Sequence, residues 1–218
     1  MLTEKEMLDQ LRQGEVQLPP LTFRLLEDQL NIWEDKRVDA YIEAKWKRKS
    51  ARFAVECKAL STPKYFQNSI NYLKSLPLPK NVFPMLMMPF LSELQLKELE
   101  RVGISGIDLC GNGVVVSPGT FSVFRSGGKN RFPSSAAIKN IYRKNSSMVG
   151  RAFFVYSDFQ SVQDIRATIN QRNLLVNRWD KKPMSLSTVS KVLKTMVEDL
   201  IVTRAETILL LQPDKLLE

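Results

Sequence analysis

Three charged residues within apolar, strand-like runs are the best candidates for chemistry. Asp39 lies in RVDAYIEA, and Glu56 and Lys58 lie in ARFAVECKAL. An unpaired charge is costly to bury, so charges in such runs require partners or a function. Alternation along a strand places Glu56 and Lys58 on one face, and antiparallel pairing of the two runs would bring Asp39 to that face. Two carboxylates can hold a divalent cation and a lysine side chain can orient or deprotonate a water, so the pattern predicts a hydrolytic phosphodiesterase site.

The residue types that are missing narrow the chemistry further. The chain contains no histidine, which excludes Ser-His and Cys-His nucleophile pairs and nearly all catalytic zinc sites. Cys57 and Cys110 are the only cysteines, too few for a four-thiolate zinc site. We expect no disulfide between them in a reducing compartment. Catalysis would therefore depend on carboxylates, Lys, Ser or Tyr, together with a hard metal ion.

The net charge points to a polyanionic partner. The 218-residue chain has a formal net charge of +9 and an isoelectric point near 9.6, which favours a nucleic acid or a membrane surface. No apolar run approaches the roughly 20 residues that cross a bilayer. The first ten residues are charged and helix-forming, which is not typical of a signal peptide. We therefore expect a cytoplasmic or nucleoid-associated protein with no membrane partner.

A mixed α/β domain is predicted to position the charged residues. Its two runs would form a strand hairpin, with the second strand over 51–59, and Pro63 would begin the next helix after Thr62. The apolar stripe Phe23, Leu26, Leu30 and Trp33 predicts an amphipathic helix over 22–34. The remaining predicted elements are a helix at 3–12, a strand at 82–88, a helix ending at Gly103 and a strand that turns at Gly-Asn-Gly.

The order of Asp39 on one strand and Glu56-Cys57-Lys58 on the next resembles the PD-(D/E)xK nuclease superfamily over roughly residues 20–120. The resemblance implies a restriction-endonuclease-like fold, a mixed sheet flanked by helices, with a Mg²⁺ or Mn²⁺ cofactor. It assigns Asp39 and Glu56 to the metal, with the Cys57 carbonyl as a further ligand. It assigns Lys58 to the nucleophilic water.

Other positions extend the resemblance. Gln67 follows the motif where several superfamily members place a glutamine near the site, and Tyr72 lies on the same predicted helix. Glu27, on the predicted preceding helix, occupies a position where some members carry an additional carboxylate. One departure is that Asp39 follows Val38 and not proline. The alternative interpretation is a structural ion pair in some other α/β domain.

The turn between the two strands, KWKRK at residues 45–49, has two interpretations. Its cations and Trp46 could contact phosphates and stack on a base, or it could be a solvated hairpin tip.

A basic segment follows the α/β domain. Residues 125–151 carry seven basic residues and no acidic one, whereas a solubilising linker normally mixes both signs. We therefore expect phosphate contacts from Arg125, Lys129, Arg131, Arg143 and Lys144.

The C-terminal segment predicts three helices followed by a β-hairpin, the order of a winged helix. The run SLSTVSKVLKTMVEDLIV resembles the recognition helix and wing entry of bacterial winged helix-turn-helix regulators. The resemblance implies that Val189, Leu193 and Val197 pack inward. It implies that the residues facing DNA are Ser187, Thr188, Ser190, Lys191 and Lys194, with Arg204 at the wing tip. An apolar insert before the third helix could be an extra helical turn or a dimer contact.

Together these features predict a nuclease-like domain at 1–124, a basic connector at 125–145 and a winged helix-turn-helix domain at 146–218. Three functions stay open. The chain could be a Mg²⁺-dependent DNA endonuclease that cuts by one-step attack of a metal-activated water and is targeted to double-stranded DNA by the winged helix. It could instead be a transcriptional regulator or antitoxin-like repressor on a non-catalytic scaffold, or a pair of protein-binding modules. A homodimer stays open in each case.

Overall fold

The computed structural model describes residues 2–33, 36–132, 146–171 and 183–216. The chain divides into two compact units. The N-terminal unit holds 1–61 and 65–136, and the C-terminal unit holds 137–218 with 62–64. Within the described part of the chain, no helix is both long enough and apolar enough to cross a membrane.

A seven-stranded mixed sheet, with strands in chain order, forms the centre of the N-terminal unit. Strand β3 runs parallel to β4 and β4 parallel to β5, while the other neighbouring pairs are antiparallel. The carboxyl ends of β3, β4 and β5 therefore reach one edge of the sheet. The strands β1 to β7 are Thr22–Trp33, Lys36–Trp46, Lys49–Cys57, Val82–Met88, Ser105–Asp108, Gly113–Ser117 and Phe121–Arg125.

Helices cover both faces of this sheet. Helix α1 (Glu4–Arg12) buries Met7 against Phe53 on one face. Helices α2 (Pro63–Lys74) and α3 (Glu93–Arg101) pack on the opposite face around Leu86. The N-terminal unit is therefore a mixed α/β fold as predicted, with a mixed sheet flanked by helices.

The prediction of an amphipathic helix over 22–34 is wrong, because these residues form β1. Strand β1 pairs with β2 with register shifts between Leu25 and Glu27 and between Asn31 and Trp33. Each irregularity changes the phase of side-chain alternation, so apolar residues recur at spacings of three and four and imitate a helix. Glu27 therefore lies on a strand.

Asp108 closes the turn between β5 and β6. It is buried, and its carboxylate accepts hydrogen bonds from the backbone N–H groups of Leu91 (2.9 Å), Cys110 (2.8 Å) and Asn112 (2.8 Å). The Asn112 side-chain amide adds a fourth donor at 2.7 Å. Burial raises the pKa of Asp108, and the bonds from Asn112, Leu91 and Cys110 oppose that rise. Asp108 therefore stabilises the turn.

Replacing Asp108 with Ala is expected to destabilise the chain by about 3–5 kcal/mol, because buried backbone donors would lose their acceptor. Asp108→Asn keeps one acceptor oxygen and should cost less. Urea unfolding of the full chain measures both changes, with the exposed Glu100→Ala as control. A loss below about 1 kcal/mol for Asp108→Ala would contradict this role.

The described residues of the C-terminal unit form three α-helices, a small sheet and a 3-10 helix at Pro213–Leu216. The helices are α4 (Ser147–Val155), α5 (Val162–Gln171) and α6 (Leu186–Glu198). The strands β8 (Asp158–Phe159), β9 (Val202–Arg204) and β10 (Ile208–Leu210) form an antiparallel sheet in the order β8-β10-β9. The three helices and terminal hairpin were predicted, whereas β8 was not. Most of the predicted apolar insert falls at 172–182, outside the described residues.

Asp199 ends α6 in an unfavourable setting for a negative charge. Its Oδ1 atom is buried and has no hydrogen-bond partner among the described residues. It lies at the helix C-terminus, where the macrodipole favours cations. Burial raises the pKa of Asp199 to about 6; Lys215 opposes the rise and Glu198 adds to it. Because the folded-state pKa is raised, the stability due to protonation is fully present below about pH 4 and is lost as the pH rises through about 6.

Asp199→Asn should therefore stabilise the C-terminal unit at pH 7.5 by about 1–2 kcal/mol, a value discounted for partial exposure, and have little effect at pH 4. Urea unfolding of the full chain at both pH values measures the difference. Asp214→Asn, which removes an exposed carboxylate from the same unit, is the matched control. Equal effects of Asp199→Asn at the two pH values would contradict the assignment.

Candidate active site

The β2–β3 pairing brings the three predicted residues to one sheet edge. The antiparallel register pairs Ala40 with Val55, so Asp39 and Glu56 follow at the next position. Asp39 Oδ2 accepts a hydrogen bond from the backbone N–H of Cys57 at 2.7 Å. The Asp39 carboxylate is therefore held beside the backbone that joins Glu56 to Lys58.

Lys58 forms a short ion pair with Glu56. The distance from Lys58 Nζ to Glu56 Oε1 is 2.6 Å, and the two side chains are 25% and 11% exposed. The Lys58 backbone N–H donates to the carbonyl of Met87 at 2.9 Å, which extends the β3–β4 pairing to this residue. The ammonium is thus fixed at the edge where the parallel strands end.

Glu4 is a third acidic residue here that sequence reasoning missed. Its Oε1 lies 3.6 Å from Lys58 Nζ. It lies in the first turn of α1, which begins with a capping box formed by Thr3 and Glu6. Acidic residues are common in the first turn of a helix, so the position of Glu4 in the sequence did not indicate a role in the site.

For both Glu56 and Lys58, burial and the charge of the other residue shift the pKa in opposite directions. Burial raises the pKa of Glu56, and the hydrogen bond and charge of Lys58 offset this only in part. Burial lowers the pKa of Lys58, but the hydrogen bond to Glu56 and the charges of Glu56, Glu4 and Asp39 outweigh it, so its pKa is raised. Lys58 therefore carries its proton at neutral pH.

Cys57, between the two charged residues, is buried on the opposite face with α1. Burial raises the pKa of its thiol well above the ordinary range. A protonated buried thiol is a poor nucleophile, so Cys57 contributes backbone groups and packing.

Gln67, Tyr72 and Glu27 were assigned by resemblance alone, and they lie on two elements, α2 and β1. Gln67 is half-buried on α2, and its amide donates to Asn71 Oδ1 at 3.5 Å. The Tyr72 hydroxyl accepts from the Arg37 backbone N–H at 3.1 Å and donates to the Arg37 carbonyl, so it anchors β2 to α2. Glu27 pairs with Tyr41 in the strand register, and its side chain lies outside the described residues.

The donor set suits a hard divalent cation. Among the residues described, no three His, Cys, Asp or Glu side chains gather as a metal-binding group. Mg²⁺, however, is commonly held by one or two carboxylates together with waters and substrate phosphates. Asp39 and Glu56 supply two carboxylates at one edge, so the residues present fit such an ion.

The polar residues of α6 share one surface of the C-terminal unit. Ser187, Ser190, Lys191, Lys194 and Arg204 line a common depression, with Val197 and Glu198 beside them. Lys191, Lys194 and Arg204 are exposed, while Val189 and Leu193 are buried. The Thr188 hydroxyl lies 2.9 Å from the hydroxyl of the N-cap residue Ser185, so it takes part in capping.

The predicted basic connector is described only in part. Arg125 and Lys129 are exposed, while Arg143 and Lys144 lie outside the described residues. The Arg131 guanidinium donates to the carbonyl of Leu109 and lies 5.9 Å from the Phe132 ring. Arg131 therefore attaches this segment to the turn after β5.

Comparisons with known proteins show a distant structural similarity. No protein-family model matches the chain, and neither does any curated protein. The crystal structure of a repair endonuclease from Pyrococcus abyssi is similar at 20% sequence identity and a TM-score of 0.35. The alignment covers 50% of this chain and 47% of that chain, so this chain spans about half the length of that protein. A similarity at this level defines neither the fold nor the activity.

Proposed function

We propose that the N-terminal unit is a divalent-metal-dependent DNA endonuclease and that the C-terminal unit binds duplex DNA for it. The observation that carries the proposal is the grouping of Asp39, Glu56 and Lys58 at the carboxyl end of β3. A partly buried ion pair beside a second carboxylate is an energetically costly arrangement in a strand that hydrophobic residues could fill. A catalytic role accounts for that cost.

Asp39 and Glu56 would hold Mg²⁺ or Mn²⁺ in this site. When bound, the cation supplies Lewis-acid polarisation of the scissile phosphate. In the net reaction a water oxygen attacks phosphorus and the bond from phosphorus to one sugar oxygen breaks. The water supplies the proton that the leaving oxygen takes up, which leaves a phosphomonoester and a hydroxyl.

Lys58 acts in this mechanism as an ammonium. Its raised pKa favours the protonated form at neutral pH, so it has no lone pair to accept a proton. An ammonium can instead orient the attacking water and stabilise the negative charge that develops on the phosphoryl oxygens. Its contacts with Glu56 and Glu4 hold it in place for that task.

DNA binding is assigned to the C-terminal unit. Its order of helix, strand, two helices and hairpin is typical of a winged helix, in which the last helix enters the major groove. Helix α6 offers Lys191 and Lys194 on its exposed side, and Arg204 ends β9 beside the turn of the hairpin. These cations support a role in phosphate contact.

Lys58→Ala is expected to reduce metal-dependent nicking of supercoiled plasmid by about 10²–10³-fold, because the charge on the phosphate loses a stabilising donor. Binding of Mn²⁺, measured by calorimetry, should persist in this variant. Asp39→Asn should weaken Mn²⁺ binding about tenfold or more, because a neutral amide is a poorer ligand for a hard cation. Lys97→Ala, which removes an exposed lysine from α3, should leave nicking unchanged.

Two outcomes would contradict the endonuclease. Equal nicking by wild type and Lys58→Ala would show that the activity belongs to a contaminating nuclease. Absence of nicking in the wild type, with both metals and several DNA substrates, would favour a regulator or repressor in which Glu56 and Lys58 are a structural pair.

The double substitution Lys191→Ala and Lys194→Ala should weaken duplex binding by the full chain. Removing two phosphate contacts should reduce the slope of log affinity against log salt concentration by about two. Fluorescence anisotropy over a salt series measures both quantities. Lys97→Ala with Arg101→Ala, an equal charge change on α3, is the control. An unchanged affinity and slope in the α6 variant would show that α6 does not contact DNA.

A further inference from the structure

The hairpin between β2 and β3 ends in a group of cations that the proposed active site does not use. We call residues 45–49 the cationic tip. Strand β2 ends at Trp46 and β3 begins at Lys49, so Lys47 and Arg48 form a two-residue turn. The exposed side chains of the cationic tip are Lys45, Lys47, Arg48 and Lys49. Residues 44–52 contain five basic residues and no acidic one.

These charges have no acidic partner among the residues that the structure describes. None of the ion pairs in the described chain involves the tip or the exposed Arg52. Glu43 pairs with Arg52 in the strand register, but its carboxylate contacts Arg24 at 3.4 Å. Lys49 Nζ donates to the Thr120 carbonyl at 3.0 Å, which is a neutral acceptor. The tip therefore offers its positive charge to solvent or a partner.

The backbone conformation at Lys47 is one that glycine, asparagine or aspartate adopts more readily than lysine. Lys47 has a φ of 55°, in the left-handed region that lysine rarely adopts. Two-residue hairpin turns of this kind normally use Gly, Asn or Asp at such a position. A cation at such a position is a candidate for a functional side chain.

The chemistry of the tip favours a phosphate backbone as partner. Membrane attachment needs an apolar surface that enters the bilayer in addition to positive charge. Trp46, the only large apolar side chain here, is partly buried and packs against the core under α1. The tip thus has charge without an apolar anchor, whereas a duplex presents closely spaced phosphates that cations alone can bind.

We propose that the cationic tip binds the phosphate backbone of double-stranded DNA, as a sequence-independent contact on the N-terminal unit separate from α6. The choice of DNA as the polyanion rests on the proposed function. From Lys49 to Glu56 the chain advances seven residues along β3, about 23 Å. That length corresponds to about seven base pairs of duplex. A duplex lying along β3 would therefore contact the tip about seven base pairs from the phosphate at the active-site edge.

The test uses the full chain carrying Lys47→Gly and Arg48→Ser. Glycine suits the left-handed backbone of the turn, so this variant should melt no lower than wild type. Its affinity for a 30-base-pair duplex of arbitrary sequence should fall about tenfold or more at about 0.1 M salt, and its salt slope should decrease by about two. Mn²⁺ binding should not change. Lys97→Ala with Arg101→Ala removes the same charge elsewhere on this unit and should change neither quantity.

The experiment distinguishes failure of the tip proposal from failure of the proposed function. If wild type binds DNA and the tip variant binds equally well with the same salt slope, the tip proposal is wrong and the proposed function stands. An equal loss of affinity in the α3 control would also overturn it, because only net charge would matter. A tip variant that loses binding to phosphatidylserine vesicles while it keeps its DNA affinity would identify a membrane partner instead. If wild type binds no duplex even at low salt, both the tip proposal and DNA binding in the proposed function are wrong.

Discussion

The pairing of β2 with β3 is the interaction on which the rest of the N-terminal unit depends. Its antiparallel register directs Ile42 and Val55 toward α1, and Ala54 toward α2 and α3. The same register carries Asp39 to the end of β3, where the backbone N–H of Cys57 holds its carboxylate. A slip of one residue would exchange the two faces, so the core and the candidate site depend on the same alignment.

The edge where β3 ends keeps charges that a purely structural sheet would not need. Glu56 is buried and Lys58 is half-buried, and the distance from Lys58 Nζ to Glu56 Oε1 is 2.6 Å. Breaking such a pair leaves an uncompensated charge, whereas apolar residues of similar size are often as stable or more so. At the same edge of the sheet, Asp108 is engaged by four donors and closes a turn. Glu56 is paired with one ammonium, whereas Asp108 accepts hydrogen bonds from four donors. This difference in partners separates Glu56, a candidate catalytic group, from Asp108, a structural one.

Asp39, Glu56 and Lys58 could be grouped from the sequence because strand alternation and hairpin pairing are local rules. Glu4 could not, because its approach to Lys58 depends on how α1 packs across the sheet. Arg131, in the basic segment, likewise makes a contact that depends on the fold and could not be predicted from the sequence. The phosphate contact expected from its charge stays a prediction, whereas the donation of its guanidinium to the carbonyl of Leu109, 22 residues earlier, is visible only in the fold.

Elements whose signals lie within one segment can be located from the sequence. Apolar periodicity and the cap at Ser92 locate α3, and Gly103 follows it with a φ of 72°. The strand at 22–33 could not be located in this way, because its irregular apolar spacing fits a strand only through its pairing with β2. Strand β8 is likewise two residues long and exists through its pairing with β10. A helix satisfies its backbone hydrogen bonds within its own segment, whereas a strand needs a neighbour, so strand identity and register are decided by contacts distant in sequence.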